Sequence, residues 1–408
     1  MSISSRAVTA GSAPVVLDLD PFSDEILSAP YESYAAMRDA GPVLYFSRHD
    51  NYAVARLEHV QAVLKDWETF SSARGGIGLG DIRKPGAWRP AGPIVEADPP
   101  AHTRVRGVLQ RLLSPAVIRS WRESFELQAD ALIESVVAGG RFDGVTQVAE
   151  SFVYDVFPKA VGMAPTENLT EKLVLIGELN FDGLGPKNAR FLDTERRVQD
   201  ILPWYARSYQ RSNMLPDGFG ELIFKAGDAG EIDSGICEGL LRSFLRGGMD
   251  TTVSGIGSAL WLLATHPQAW AELRANPSLA RAVFEESIRL ETPITSFYRT
   301  TTRDVEFAGV HIPADAKVQV FLGSANRDPR FWVKPDTFDI HRTTLGHVAF
   351  GAGVHACIGQ MIARLEAEAV LKALARRASH IELDGAPVQR INNCLRSFKS
   401  LPLRVRAA

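Results

Sequence analysis

Phe350-Gly351-Ala352-Gly353-Val354-His355-Ala356-Cys357-Ile358-Gly359 runs straight into Gln360-Met361-Ile362-Ala363-Arg364-Leu365-Glu366, where apolar residues recur at helical spacing. Cys357 therefore stands at the start of a helix expected over Ile358 to Arg377. Unpaired backbone N–H groups and the helix dipole there favour a negative sulfur and lower the thiol pKa. Gly351, Gly353 and Gly359 let backbone approach a flat macrocycle where a Cβ would collide, and a thiolate so placed suits iron. A structural cysteine beside a glycine-rich turn is the plainer reading and ranks first for an isolated cysteine. A phosphate-binding loop fits less well, because no Lys-Ser or Lys-Thr follows the glycines and no strand-to-helix nucleotide unit precedes them.

Outward from this loop, helical patterns dominate: Pro30 to Ala40, Ala101 to Leu113, Ile118 to Ala138, Ile236 to Thr265 and Pro267 to Leu290. Strand patterns are short: Val43 to Phe46, Tyr52 to Ala55, Val305 to Phe307, Val318 to Phe321, and Ile381 with Leu383. The expected class is mainly α with a minor β region. Three stretches read as irregular, Ser71 to Pro100, Asn180 to Asn188 and Asn326 to Val348, and long irregular segments are often lids or binding loops.

The 408 residues are 45% hydrophobic and 23% charged, enough for a large core. No linker, charge block or repeat divides them, so one domain over 1–408 is expected. A net charge of -3 gives no general attraction for nucleic acid or an anionic membrane. The stretch through Asp20 lacks a long apolar run with basic flanks, so no signal peptide or anchor is expected and the location reads as cytoplasmic. Cys237, Cys357 and Cys394 are far apart, which suggests neither a disulfide framework nor a zinc site.

Further patterns carry chemistry. In Glu286-Ser287-Ile288-Arg289 the acid and base share a helix face and can form a bidentate pair, although such pairs are usually solvated and weak. Arg246-Gly247-Gly248-Met249-Asp250-Thr251-Thr252 puts two glycines inside a helix, each costing about 1 kcal/mol relative to Ala. Thr251 lies one turn past Gly247, so its hydroxyl can reach that carbonyl, and the glycines leave room for a small ligand and a local bend. Close helix packing at Gly247 and Gly248 is an equally good account of these residues alone.

The run from Phe350 to Gly359 resembles the haem-binding loop of the cytochrome P-450 family, Phe-Gly-x-Gly-x-His-x-Cys-x-Gly, at every defined position. The resemblance implies a triangular, helix-rich fold with small peripheral sheets, haem b as cofactor and Cys357 as axial ligand of the iron. It makes the glycine run similar to the family's oxygen-activating Gly-x-Asp-Thr-Thr motif. Thr251 would then order oxygen or water at the distal iron site while Asp250 relays protons. Pro335-Asp336-Thr337-Phe338-Asp339-Ile340-His341-Arg342 resembles the family's meander, whose arginine, here Arg342, joins Glu286 and Arg289 in a structural cluster. Asp98-Pro99-Pro100-Ala101-His102-Thr103-Arg104-Val105-Arg106 resembles the family's early helix. It implies His102 and Arg106 as propionate ligands, with Arg299 and His355 as the others.

The same resemblance implies a monooxygenase that uses O2, with electrons from a ferredoxin or flavodoxin served by an NAD(P)H-dependent reductase. Arg330, Lys334 and Arg364 are candidate docking contacts. The substrate pocket is expected to be lined by Ile94, Val95, Phe181, Leu184, Ser243, Gly247, Ile294, Ser296 and Phe297, suiting a compact, partly aromatic molecule. Trp88-Arg89-Pro90 with Ile94 to Pro100 resembles the bacterial branch that oxidises para-substituted benzoic acids, with Arg89 attracting the carboxylate. Gly92 and Leu184 depart from that branch, standing where a hydroxyl residue and a second aromatic are expected. The working expectation is oxidation at the para substituent of an aromatic acid, for example O-demethylation of a methoxybenzoate. A peroxide-driven peroxygenase and a haem-based ligand sensor are the rivals.

Overall fold

A computed structural model describes residues 13–408; the parts of the expectations that concern residues 1–12 lie outside it. The first helices are α1 (Asp24–Ser28), α2 (Tyr31–Ala40), α3 (Leu57–Lys65), α4 (Ala101–Leu112) and α5 (Pro115–Gly139). After a π-helical segment, Gly144–Glu150, come α6 (Ser151–Val161), α7 (Leu169–Asp182), α8 (Ala189–Arg197), α9 (Leu202–Ser208) and α10 (Phe219–Asp228). The remainder are α11 (Cys237–Gly248), α12 (Asp250–Thr265), α13 (Pro267–Ala275), α14 (Ala280–Leu290), α15 (Leu322–Ala325) and α16 (Gln360–Arg377).

Four small sheets flank the helices. The largest holds β1 (Val15–Leu17), β2 (Leu44–Phe46), β3 (Asn51–Val54), β4 (Phe70–Ser71), β6 (Ser296–Thr301) and β9 (Lys317–Phe321), in the order β1-β2-β3-β9-β6-β4. The second joins β5 (Arg141–Asp143), β10 (Ala378–Leu383) and β13 (Pro402–Ala407). The pairs β7 (Val305–Phe307) with β8 (Val310–Ile312) and β11 (Val388–Arg390) with β12 (Ser397–Ser400) complete them. The class is mainly α with minor sheets.

Local sequence explains the key boundaries. Ser114 caps α5 by accepting from Val117 N, Pro115 occupies the first turn, and Gly140 ends the helix at φ 70°. The single helices expected over Ile236 to Thr265 and Pro267 to Leu290 are each broken. Met249, at φ -102° and ψ -68°, separates α11 from α12. Asn276, ahead of Pro277, takes an extended ψ of 87° and its side chain accepts from Ser278 N, so α13 and α14 are distinct. The five helices from Ser151 to Asp228 were not foreseen. They are short, seven to fourteen residues, and carry Pro158, Pro203, Gly177, Gly220 and Gly227, which read as breakers against their apolar spacing. Asn180, Phe181 and Asp182 belong to α7, so the irregular stretch expected over Asn180 to Asn188 begins only at Gly183.

At the centre, α12 packs on α14, α16 and the π-helical segment, while α16 lies along α5. Ile256, Ala259, Leu260 and Leu263 of α12 are fully buried. Gly255 brings α12 close to α14, since a Cβ there would lie 2.8 Å from the Phe284 ring. No described helix is long and apolar enough to cross a membrane.

Candidate active site

The Cys357 loop is shaped by two glycines in the left-handed region, Gly351 at φ +70° and Gly353 at φ +69°. A Cβ on Gly353 would stand 2.4 Å from the carbonyl oxygen of Leu64, so α3 demands glycine there. Cys357 N donates to Phe350 O at 2.8 Å and closes the loop. Helix α16 begins only at Gln360, so Cys357 lies just ahead of the helix. The N–H groups of Gly359 and Gln360 still pull its thiol pKa down, but burial outweighs them and the pKa is raised, against the sequence expectation. A cation at the sulfur is what would hold the thiolate.

Cys357 opens on a mostly apolar cavity of about 320 Å³, whose walls also come from α4, α11, α12, α14, β6 and the loop before α4. Four donors or cations gather on it: His102, Arg106, Arg299 and His355. Both ring nitrogens of His102 and Nε2 of His355 are buried without partners, and the two rings stand 4.3 Å apart. Arg299 is 4% exposed and donates only to its neighbour Tyr298 O, and burial lowers its pKa to about 10. Burial and the neighbouring Arg299, His102 and Arg106 depress His355 to about 3. Among the described residues none of the four forms an ion pair. Such a set suits a dianion, and together with the sulfur and the apolar walls it fits a haem with two propionates.

The seam between α11 and α12 resolves the two accounts of its glycines. A Cβ on Gly248 would collide with the Phe157 ring at 2.4 Å, whereas nothing lies within 4 Å of one on Gly247, which lines the cavity. Gly248 is there for packing and Gly247 for space. Thr251 Oγ1 donates to Gly247 O at 2.9 Å, and Thr251 faces the cavity. Asp250 does not line it; its carboxyl is buried, with Oδ1 accepting from Tyr154 O–H at 2.8 Å and Oδ2 unpartnered. Burial raises its pKa to about 7.

Residues 227–395 match the family model for cytochrome P450. The chain is 47% identical over 393 residues to cytochrome P450 CYP199A2 of Rhodopseudomonas palustris, covering 96% of this chain and 95% of that one. The chain belongs to the cytochrome P450 family. It is also 28% identical to the cytochrome P450 monooxygenase PikC of Streptomyces venezuelae, over 97% of this chain and 95% of that one. Among solved structures, cytochrome P450 CYP109Q5 from Chondromyces apiculatus superposes with a TM-score of 0.80 at 28% identity, covering 96% and 98% of the two chains. This P450 is thus a haem b monooxygenase that uses O2, an organic substrate and a redox partner.

Of the substrate residues expected in this P450, Ile94, Val95, Phe181, Leu184, Ser243, Gly247, Ile294 and Phe297 line the cavity. Two do not. Ser296 alternates with Phe297 and Arg299 along β6, points away and accepts from Gln319 Nε2 at 2.9 Å. Arg89 is tied to Glu96 at 2.5 Å, and the second oxygen of Glu96 accepts from Gly92 N at 2.7 Å. A Cβ on Gly92 would sit 2.6 Å from that oxygen. The chain's own carboxylate therefore fills the place assigned to a substrate acid.

On the other side of the Cys357 loop, Arg289 makes a bidentate pair with Glu286 at 2.7 and 2.8 Å, both side chains fully buried. Arg342 Nε joins the same carboxylate at 3.0 Å. Two of the expected docking cations are engaged: Arg364 pairs with Glu285 and lies over Phe350, and Arg330 pairs with Asp39 and Asp328. Lys334 is exposed and forms no ion pair among the described residues.

Several site residues escaped the sequence reading. Phe157, Phe244 and Ile77 line the cavity, and Tyr154 holds Asp250. Glu366 buries both oxygens beside Thr252 with no hydrogen-bond partner among the described residues, and burial raises its pKa well above the usual carboxylate range. Its signal was an acid inside an apolar helical run.

The raised pKa of Asp250 gives a sign to its stability effect. Between about pH 4 and 7 the folded carboxyl keeps a proton that the unfolded chain releases, so its contribution falls as pH rises through that window. Asp250→Asn keeps an acceptor for Tyr154 and abolishes the titration. Relative to the parent it is expected to be more stable at pH 8 than at pH 4, by at most roughly 4 kcal/mol. Thermal unfolding at both pH values checks this; parallel behaviour of the two proteins would contradict it.

Proposed function

We propose that Cys357 is the axial ligand of the haem iron and that the enzyme oxidises the para substituent of a small aromatic acid, with O-demethylation of a methoxybenzoate as the type reaction. One observation carries the reading: a single apolar cavity presents a sulfur, four donors or cations without ion pairs and an open glycine beside a threonine hydroxyl. Haem held there supplies the binding of dioxygen and its reductive cleavage. His102, Arg106, Arg299 and His355 hold the two propionates. Thr251, tethered to Gly247 O, orders water beside the open flank of α11, and Asp250 supplies protons to it. The apolar walls keep bulk water from the reacting centre.

Electrons come from a ferredoxin or flavodoxin charged by an NAD(P)H-dependent reductase, with Lys334 the expected docking cation that forms no ion pair among the described residues, and the location is cytoplasmic. For the acid end of the substrate, Arg89 is a poor candidate because Glu96 already neutralises it. Arg242 and Arg246 are better ones. Neither forms an ion pair among the described residues, both Nε atoms lack partners, and Ser243 and Gly247 beside them line the cavity. Arg246 lies 5.6 Å from the Trp88 ring centre, and burial together with Arg89 lowers its pKa to about 9. A partly buried cation that forms no ion pair favours an anion, although Glu96 is within electrostatic reach of Arg246.

Titration of the haem spin state with 4-methoxybenzoate tests this reading. A shift to high spin is expected; Arg246→Leu should weaken the apparent affinity for 4-methoxybenzoate about tenfold or more while leaving that for a neutral analogue such as 4-methoxytoluene little changed. Silence from para-substituted benzoates alongside a response to terpenes or fatty acids would discard the aromatic acid.

A further inference from the structure

Among the described residues no cation forms an ion pair with the buried Asp250 carboxyl. Its Oδ1 accepts from Tyr154 of α6, itself 1% exposed. Glu150, one turn earlier at the end of the π-helical segment, is 5% exposed and accepts from Arg390 of β11 at 2.8 Å. Arg390 also stands 3.7 Å from Glu178 of α7. The backbone of α7 closes the remaining side, for a Cβ on Gly177 would fall 1.9 Å from Asp250 Oδ1. Tyr205 of α9 is the other titratable group in electrostatic reach. Five separate elements thus converge on one carboxyl, and none of them contributes to the cavity wall at these residues.

We propose that Tyr154 is a positioning residue for proton supply, fixing Oδ1 of Asp250 so that Oδ2 alone gives and takes protons, and that the Glu150–Arg390 pair tunes the charge of that carboxyl. The proposal rests on the reading of Asp250 as the proton donor to the cavity. Tyr154 holds and does not relay: burial and Asp250 keep its hydroxyl far too weak an acid to give up its own proton. In each delivery the proton on Oδ2 leaves, and the carboxylate that remains is stabilised by the Tyr154 hydrogen bond and, through space, by Arg390. Glu150 opposes that stabilisation. The carboxyl is then reprotonated from water, and no bond of Tyr154 changes.

The test follows the infrared band of the protonated Asp250 carboxyl against pH in the resting holoenzyme, identified by its loss in Asp250→Asn. Tyr154→Phe keeps the ring and removes the donor, so the midpoint is expected to rise by about one pH unit. Arg390→Gln should move it the same way and Glu150→Gln the opposite way, a pattern of signs that loss of packing does not produce. With 4-methoxybenzoate and a reductase system, Tyr154→Phe should form product about tenfold more slowly, while turnover driven by hydrogen peroxide, which brings its own protons, stays within about twofold. An unmoved midpoint in Tyr154→Phe, or an equal loss under both oxidants, would overturn the proposal. The infrared arm needs no substrate and so survives failure of the aromatic-acid reading. Full coupling in Asp250→Asn would instead remove the role of Asp250 itself.

Discussion

Cys357→His is expected to yield a folded protein whose reduced carbon-monoxide complex lacks the thiolate absorption signature and whose reductase-driven turnover falls by roughly 10³-fold or more. The size follows from the sulfur having no substitute. Cys237 is buried between α10 and α11, donating to Ile223 O at 3.6 Å. Cys394 donates to Ser296 O at 2.9 Å and is buried behind Phe181, Leu184 and Ile294 without lining the cavity, and burial pushes its thiol up to about 12. Neither can reach the cavity without rebuilding a strand or a helix. Imidazole supplies a neutral ligand that does not release electron density toward the oxygen bond as a thiolate does. A variant that keeps both the thiolate spectrum and normal turnover would move the ligand elsewhere and end the account.

The second large effect is on the fold. Arg289→Met should cost about 3–5 kcal/mol of stability, because it leaves Glu286 as a buried carboxylate with part of its charge uncompensated. It also strips donors from Asn326 O, Pro335 O and Thr337 O, which Arg289 holds at 2.7, 2.9 and 3.4 Å. These carbonyls belong to the irregular segment that leads into the Cys357 loop, so haem retention on warming is the sensitive measurement. Lysine at 289 should not rescue the loss, since one ammonium cannot reproduce a fork that binds two carboxylate oxygens and three carbonyls. Adding Glu286→Gln should recover part of it, because the orphaned charge is then gone. Equal haem retention in parent and Arg289→Met would show the cluster to be dispensable.

What the sequence disclosed was whatever a contiguous run could encode. The glycines and cysteine of the 350–359 loop and the three-residue spacing of Glu286 and Arg289 are local patterns with a local physical cause. The hydroxyl of Thr251 on Gly247 O is another. What it concealed depended on partners distant in the chain. Nothing near Asp250 announces Tyr154, 96 residues earlier, and although Glu96 stands only seven residues from Arg89, the turn that folds it back onto the guanidinium has no mark in the sequence. The thiol of Cys357 shows the same limit from the other side: helix-start chemistry favours the anion, but the burial that reverses the outcome is a property of the assembled core. The breaks at Met249 and Asn276 had local marks, the two glycines before Met249 and Pro277 after Asn276, but apolar spacing that continues across both outweighed them.

The carboxylate of Glu96 has one more consequence. Because it is tethered to the same loop as Arg89 and Gly92, it competes for them as an intramolecular ligand, at an effective concentration no dissolved acid need match. An incoming carboxylate must evict it or go elsewhere. Under the proposed acid substrate, the loop would act as a filter that penalises compact acids reaching for Arg89 and lets through those whose charge can settle on Arg242 and Arg246. A single exchange at residue 96 would be enough for selection to widen or narrow that filter without touching the cavity.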